Sequence, residues 1–222
     1  ELEEFIKSKL ESLQPTRSHK IMTKYDWAAI FTTNFDDLVE VAYRINTEER
    51  LKPCHTIYSE RFQVNPSDRS KVCLFKIMGS ITATEGESGH MVLSRADYNR
   101  ALIRRIKYLE LLSDFVKTGT TIFIGYSFGD RLVLDIIDDL IEIYGKDRLP
   151  WSYALFDQLQ PMDEKMQHMF SSRKIIPLEY NFDNFFKLLD KNHKIPAEKY
   201  VAMNVRLKLK GHALEISDAD ER

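Results

Sequence analysis

The chain has 222 residues, 43% hydrophobic, 11% aromatic and 30% charged, which is enough for one mid-sized core with a small appendage and excludes disordered and fibrous classes. Thirty-two Lys and Arg against 34 Asp and Glu give a net charge of −2, so no bulk basic excess argues for nucleic acid or an anionic membrane surface. Two cysteines, Cys54 and Cys73, supply neither a disulfide framework nor a four-thiolate zinc site, and a reducing cytoplasm is the expected setting.

Leu2, Phe5, Ile6, Leu10 and Leu13 form one stripe, which predicts an amphipathic helix that packs on something and ends before Pro15. The sequence begins at Glu1 inside this pattern and reads as an excerpt of a longer protein, with no secretory leader and no apolar run near the roughly 18 residues of a membrane span. After a polar stretch, Trp27 to Thr33 reads as a strand that stops at Asn34 and leads into a helix through Leu38, Val39, Val41, Ala42 and Tyr43. Lys71 to Ile77 reads as a second strand closing at Met78-Gly79-Ser80, with a loop from Thr82 to Gly89.

From Asp97 to Thr118 the apolar residues recur at three and four, predicting the longest helix, with Gly119 at its C-cap. Thr120 to Ile124 then reads as a buried-type strand and Gly125 to Gly129 as a turn, and Asp130 can cap a helix that ends at Gly145. Strands at Trp151 to Phe156 and Lys174 to Glu179 alternate with helices at Met162 to Phe170 and Phe182 to Leu189. This alternation predicts an α/β fold, a Rossmann-like parallel sheet with helices on both faces. The α/β domain is expected over residues 1–195, and residues 196–222 as an extended tail, strand-like from Val205 to Lys210, or the start of a following module.

Ligands of such sheets bind beyond the carboxyl ends of the strands. The residues placed there are Thr33-Asn34-Phe35-Asp36, Met78-Gly79-Ser80 and Gly125-Tyr126-Ser127, small and polar, where a nucleotide could lie on backbone amides and helix N-termini. No G-x-G-x-x-G or G-x-x-x-x-G-K-[ST] occurs, and with only eight Gly the chain has no phosphate-cradling loop of its own.

These segments resemble a family. Trp27-Ala-Ala-Ile-Phe-Thr-Thr-Asn-Phe-Asp-Asp-Leu-Val-Glu40 is similar to the T-[TQ]-N-[FY]-D segment of sirtuin-like domains, and Lys76-Ile-Met-Gly-Ser-Ile81 to their K-[LI]-H-G-S segment. Ser94-Arg-Ala-Asp-Tyr98 follows as their S-x-x-D-Y, and Ile124-Gly-Tyr-Ser-Phe-Gly-Asp130 as their G-[TY]-S-x-x-D turn. The G-Y-S-x-x-D variant without zinc-ribbon cysteines resembles bacterial and archaeal NAD hydrolases more than protein deacylases.

The resemblance implies an NAD-binding, nicotinamide-releasing module of a larger anti-phage defence protein, with NAD as substrate, no metal, and a homo-oligomer or larger complex as its setting. It also implies roles: Asn34 beside the nicotinamide ribose, positioning water or the nucleophile; Asp36 at the nicotinamide end; Thr33, Met78, Gly79, Ser80, Gly125, Tyr126 and Ser127 around the cofactor. It departs in two places. Met78 stands where the family has its histidine base, and a thioether accepts no proton at neutral pH. The family's Gly-rich loop, which follows a central first strand, is absent and would lie upstream of Glu1. The rival function is therefore a catalytically inactive scaffold or interaction module of the same fold.

Plainer readings accompany each residue. Asn34 suits a helix cap, Asp36 and Asp37 suit a helix dipole, and Gly125 suits a turn. His90, a candidate replacement base, lies in a loop where a solvated histidine is expected. Cys54 and His55 lack partners at metal-ligand spacing. Arg100, Arg104, Arg105 and Lys107, like Arg206, Lys208 and Lys210 in the tail, suit solvated faces, so direct nucleic-acid binding and membrane contact are not expected.

Overall fold

The computed structural model describes residues 2–58, 65, 68–83, 89–129, 131–157 and 162–192. In chain order these form α1 (Leu2–Leu10), α2 (Arg17–Met22), β1 (Ala29–Thr32), α3 (Leu38–Ile45), β2 (Cys54–Ile57), β3 (Val72–Lys76), α4 (Arg95–Arg104) and α5 (Ile106–Thr118). There follow β4 (Thr121–Ile124), α6 (Leu132–Tyr144), β5 (Ser152–Leu155), α7 (Glu164–Ser172), β6 (Ile175–Leu178) and α8 (Phe182–Asn192). All strand pairing among the described residues is parallel.

The strands make two three-stranded sheets, β2-β3-β1 and β4-β5-β6, with Ile30 opposite Leu74 in one and Phe123 opposite Ala154 in the other. Alternate residues of both sheets enter the same two apolar layers. Phe31 and Phe123 pack with α5, α6 and α7, whereas Ile30, Ile122 and Ile124 pack with α2, α3 and α8. Because side chains alternate with period two, this shared parity gives both sheets the same two covering layers of helices. The expected α/β architecture is therefore present, but as two sheets. The proposed upstream strand concerns residues outside this chain.

The division has a consequence for burial. β3 is buried at every residue, whereas β1 and β4, apolar in sequence, are mostly half-exposed, because each has one strand neighbour among the described residues.

Other expectations change. α2 and β2 were not legible in the polar stretches that contain them. The helix expected from Asp97 to Thr118 is two, broken at Arg105, whose side chain turns into the core. Ser94 opens the first with a capping box, its hydroxyl accepting from Asp97 N–H and its own N–H donating to the Asp97 carboxylate, each at 3.1 Å. Gly119 adopts an extended conformation rather than a left-handed cap. The stripe of α1 does not pack as expected: no residue of this helix is buried, and Leu2 and Phe5 are 60% and 59% exposed. Asp130, residues 84–88 and the tail from 193 lie outside the described residues.

Candidate functional site at the strand ends

The loop after β1 is built by short-range polar contacts. Thr32 Oγ1 accepts the Asn34 N–H at 3.1 Å, and Asp36 Oδ1 accepts the Leu38 N–H at 3.1 Å. α3 starts at Leu38 with Asp37 at its N-cap, so Asn34 is not the cap and remains exposed. Asp36, one residue before the cap, takes up the first N–H of the helix with one of its two carboxylate oxygens.

The loop after β3 is fastened to the first one. Ile77 N–H donates to Thr32 O at 2.9 Å and Ile81 N–H to Phe35 O at 3.0 Å. It also folds back on residues 89–92, through Val92 N–H to Met78 O at 2.8 Å and Ser80 N–H to Gly89 O at 3.1 Å. Gly79 sits at φ +98°, and a Cβ there would overlap the His90 carbonyl and come 2.8 Å from Met91 Cα, so only glycine fits. Ser80 is buried and its hydroxyl shares a hydrogen bond of 2.8 Å with Thr82 Oγ1, which makes it a builder of the loop. Arg105, expected on a solvated face, is 4% exposed and donates to the carbonyls of Ile77 and, at 3.2 Å, His90. Arg100, Arg104 and Lys107 do lie on the exposed side.

The third loop follows β4. Gly125 has φ +64° with no atom within 4 Å of where its Cβ would be, leaving the backbone open to a close-lying ligand. Phe128 holds the left-handed φ of +56°, strained for a bulky residue, and is kept there by rings of Phe123 at 5.2 Å, Tyr126 at 5.0 Å and Phe170 at 4.9 Å. Ser127 is exposed, and its hydroxyl accepts the Gly129 N–H at 3.3 Å.

Phe35, Met78 and Tyr126 belong to one apolar cluster, so each of the three loops that follow β1, β3 and β4 sends a residue into the same cluster. Met78 is 9% exposed in that cluster, and its thioether accepts no proton at neutral pH. His90 Nδ1 lies 3.8 Å from Glu3 on α1, with an exposed ring. A separate cavity of about 380 Å³, walled by Glu40, Tyr43, Arg44, Arg50, Cys54 and Thr56 among others, lies along α3 and β2 rather than at these loops. Burial pushes the Cys54 thiol up to about 12, and among the described residues no three His, Cys, Asp or Glu gather as metal ligands.

Sequence reasoning missed Lys76, Glu40, Arg105 and Phe128. Lys76 has the parity of buried Val72 and Leu74 and is itself fully buried, its Nζ 3.2 Å from Glu40 on α3. Burial raises the Glu40 carboxyl above its ordinary value and Lys76 pulls it partly back. A charge at a core-facing position of an apolar strand was the available signal.

The parallel strands covered by helices on both faces are of the α/β class, and the comparisons name the family. The SIR2-like domain family matches residues 28–178, from just before β1 through β6, and the chain belongs to that family. It is 26% identical over 133 residues to the NAD(+) hydrolase ThsA of Bacillus cereus (strain MSX-D12), a match covering 60% of this chain and 26% of that protein. It is 25% identical over 162 residues to the NAD(+) hydrolase ThsA of Acinetobacter baumannii (strain 532279), covering 71% and 31%. The chain thus spans between a quarter and a third of the length of these relatives. No described helix is long and apolar enough to cross a membrane.

Proposed function

We propose that this chain is the NAD-binding and nicotinamide-releasing domain of a larger defence protein that works as a homo-oligomer or within a complex. NAD lies across the carboxyl ends of β1, β3 and β4. The observation that carries this is the entry of Phe35, Met78 and Tyr126, one from each loop at the strand ends, into one apolar cluster next to the open backbone at Gly125. Gly125, Tyr126 and Ser127 face the phosphates and ribose; Thr33, Met78, Gly79 and Ser80 form the opposite wall and its support.

In the reaction, the C1′–N bond to nicotinamide breaks with its electrons leaving on nicotinamide, and a water oxygen bonds to C1′ and releases its proton to bulk water. The transition state has oxocarbenium character, so most of the work is positioning. The exposed carboxamide of Asn34 orients the water, and Asp36 adds negative charge at the nicotinamide end. No metal takes part. Because Met78 supplies no base, turnover is weak, and this same observation supports the second reading, an inactive scaffold that still holds the nucleotide.

The test is incubation of the intact protein with NAD and chromatography of free nicotinamide, alongside Asn34→Ala. Release that disappears in the variant supports the enzyme; binding without release supports the scaffold. A bound structure with nucleotide at the opposite edge, near Lys71 or Thr120, overturns the placement.

A further inference from the structure

We propose that Lys76 is the positioning residue of this site: its buried ammonium fixes the backbone after Asn34 and so sets where the Asn34 side chain stands. This deepens, and rests on, the assignment of Asn34 given above. The side chain of Lys76 is 1% exposed. Its ammonium donates to the Phe35 carbonyl at 3.4 Å and to the Asp36 carbonyl, and it forms an ion pair with Glu40 Oε1 at 3.2 Å. The Phe35 carbonyl also accepts the Ile81 N–H at 3.0 Å. One ammonium therefore joins the end of β3, the segment directly after Asn34 and the first turn of α3.

The geometry separates positioning from plain stabilisation. A buried ion pair is a poor way to stabilise a fold, since an apolar pair of similar volume often does as well or better. Glu40 neutralises the charge, but the two carbonyls are what the ammonium orients, and they belong to the two residues that follow Asn34. Without Lys76 the Asp36 carbonyl loses a charge-assisted donor and the Phe35 carbonyl keeps only Ile81, so residues 33–37 gain freedom while both sheets remain.

The experiment compares the intact wild-type protein with Glu40→Gln and with the double variant Lys76→Met/Glu40→Leu, which removes both charges together. Hydrogen exchange over residues 33–38 reads the loop, thermal melting reads the fold, and NAD kinetics read the site. The double variant is expected to melt near the wild type while its loop exchanges about tenfold faster or more. Its kcat should fall about tenfold or more at nearly unchanged KM, because a misplaced Asn34 affects the transition state more than binding. Glu40→Gln keeps both carbonyl bonds and should keep loop protection within about threefold, even where melting drops. Wild-type loop protection in the double variant overturns the proposal, as does a KM effect with kcat intact. If the double variant does not fold, Glu40→Gln decides: protected loops support positioning and unprotected loops overturn it. If the wild type neither binds nor cleaves NAD, the functional reading fails, and loop exchange still decides the role of Lys76.

Discussion

Gly79 and Gly125 both sit at positive φ, yet the space around them differs, and that difference sets the size of an alanine substitution at each. A left-handed non-glycine residue costs about 1–2 kcal/mol, offset by about 0.4–1 kcal/mol because alanine restricts the unfolded chain. At Gly125 nothing stands within 4 Å of the new methyl, so Gly125→Ala should cost about 1 kcal/mol. At Gly79 the methyl meets the backbone of His90 and Met91, which cannot rotate aside as a side-chain tip could. The two loop segments must part, losing the hydrogen bonds Val92 to Met78 and Ser80 to Gly89, each worth about 1 kcal/mol. Gly79→Ala should then cost about 3 kcal/mol, and the gap of about 2 kcal/mol isolates the close approach, because the backbone terms are common to both. Urea denaturation of the intact protein measures this as a shift in midpoint at unchanged slope. Equal midpoints, or a larger loss at Gly125, would refute the reasoning. Since Gly125→Ala leaves the fold in place but fills space over the backbone, it should also weaken NAD binding, and unaltered affinity by calorimetry would remove Gly125 from the site.

Phe128 offers a reversal of the usual ranking: Phe128→Ala should lose about 3–5 kcal/mol of ring packing, and Phe128→Gly should be no worse or better by up to about 1 kcal/mol, since glycine relieves the strained φ. A glycine variant clearly less stable than alanine in thermal melts would show that φ there carries no strain. His19, whose Nδ1 accepts the Thr16 N–H at 3.2 Å, has its pKa lowered by burial, with Asp36 and Asp183 opposing. A histidine with a lowered folded pKa contributes stability fully above its unfolded value near 6.5 and loses it as pH falls through the folded pKa. Acidification below 6.5 should therefore destabilise the wild type more than His19→Gln, and parallel pH profiles would contradict this. Residues 1–222 expressed alone should self-associate through the half-exposed apolar strands β1 and β4, and a monomer with a single cooperative melt would show that the division between the sheets exposes nothing adhesive.

How far the sequence carried depended on whether a residue's role was periodic or positional. Strands such as Thr121–Ile124 and helices such as Leu132–Tyr144 announce themselves by runs and spacing, and their order was enough to place the three loops at one sheet edge. α2 and β2 escaped because six and four residues with mixed polarity carry too little period to separate from a loop. Arg105 escaped for a different reason. Among Arg100, Arg104 and Lys107 it looks like one more surface charge, and only the tertiary fold shows that it turns inward to two carbonyls and breaks the helix. The ordered motifs identified where Asn34 and Gly125 stand, while the residues that hold them in place, Lys76 and Phe128, act through backbone carbonyls and a strained φ that no local pattern encodes.

Met78 stands where the resemblance implies a histidine base, and it offers the sharpest functional test. The side chain is buried in the apolar cluster that also holds Phe123 and Phe128, so an imidazole introduced there would be partly desolvated and its pKa lowered. That favours the neutral form, which is the form able to take a proton from water. A positioned general base contributes roughly 10²- to 10⁴-fold, so Met78→His in a full-length protein that binds NAD should raise nicotinamide release toward that range from a weak or absent starting rate. Cleavage with oxocarbenium character leans less on nucleophile activation, which sets the expected gain at the lower end. Burying the ring costs about 1–3 kcal/mol unless its second nitrogen finds a partner, so melting must be followed beside turnover. Asn34→Ala in the same background should remove whatever release exists. Robust release by the native protein with no gain from histidine would mean that another residue takes the proton. His90 would then be replaced first, because its backbone carbonyl lies against Gly79 and its ring is exposed.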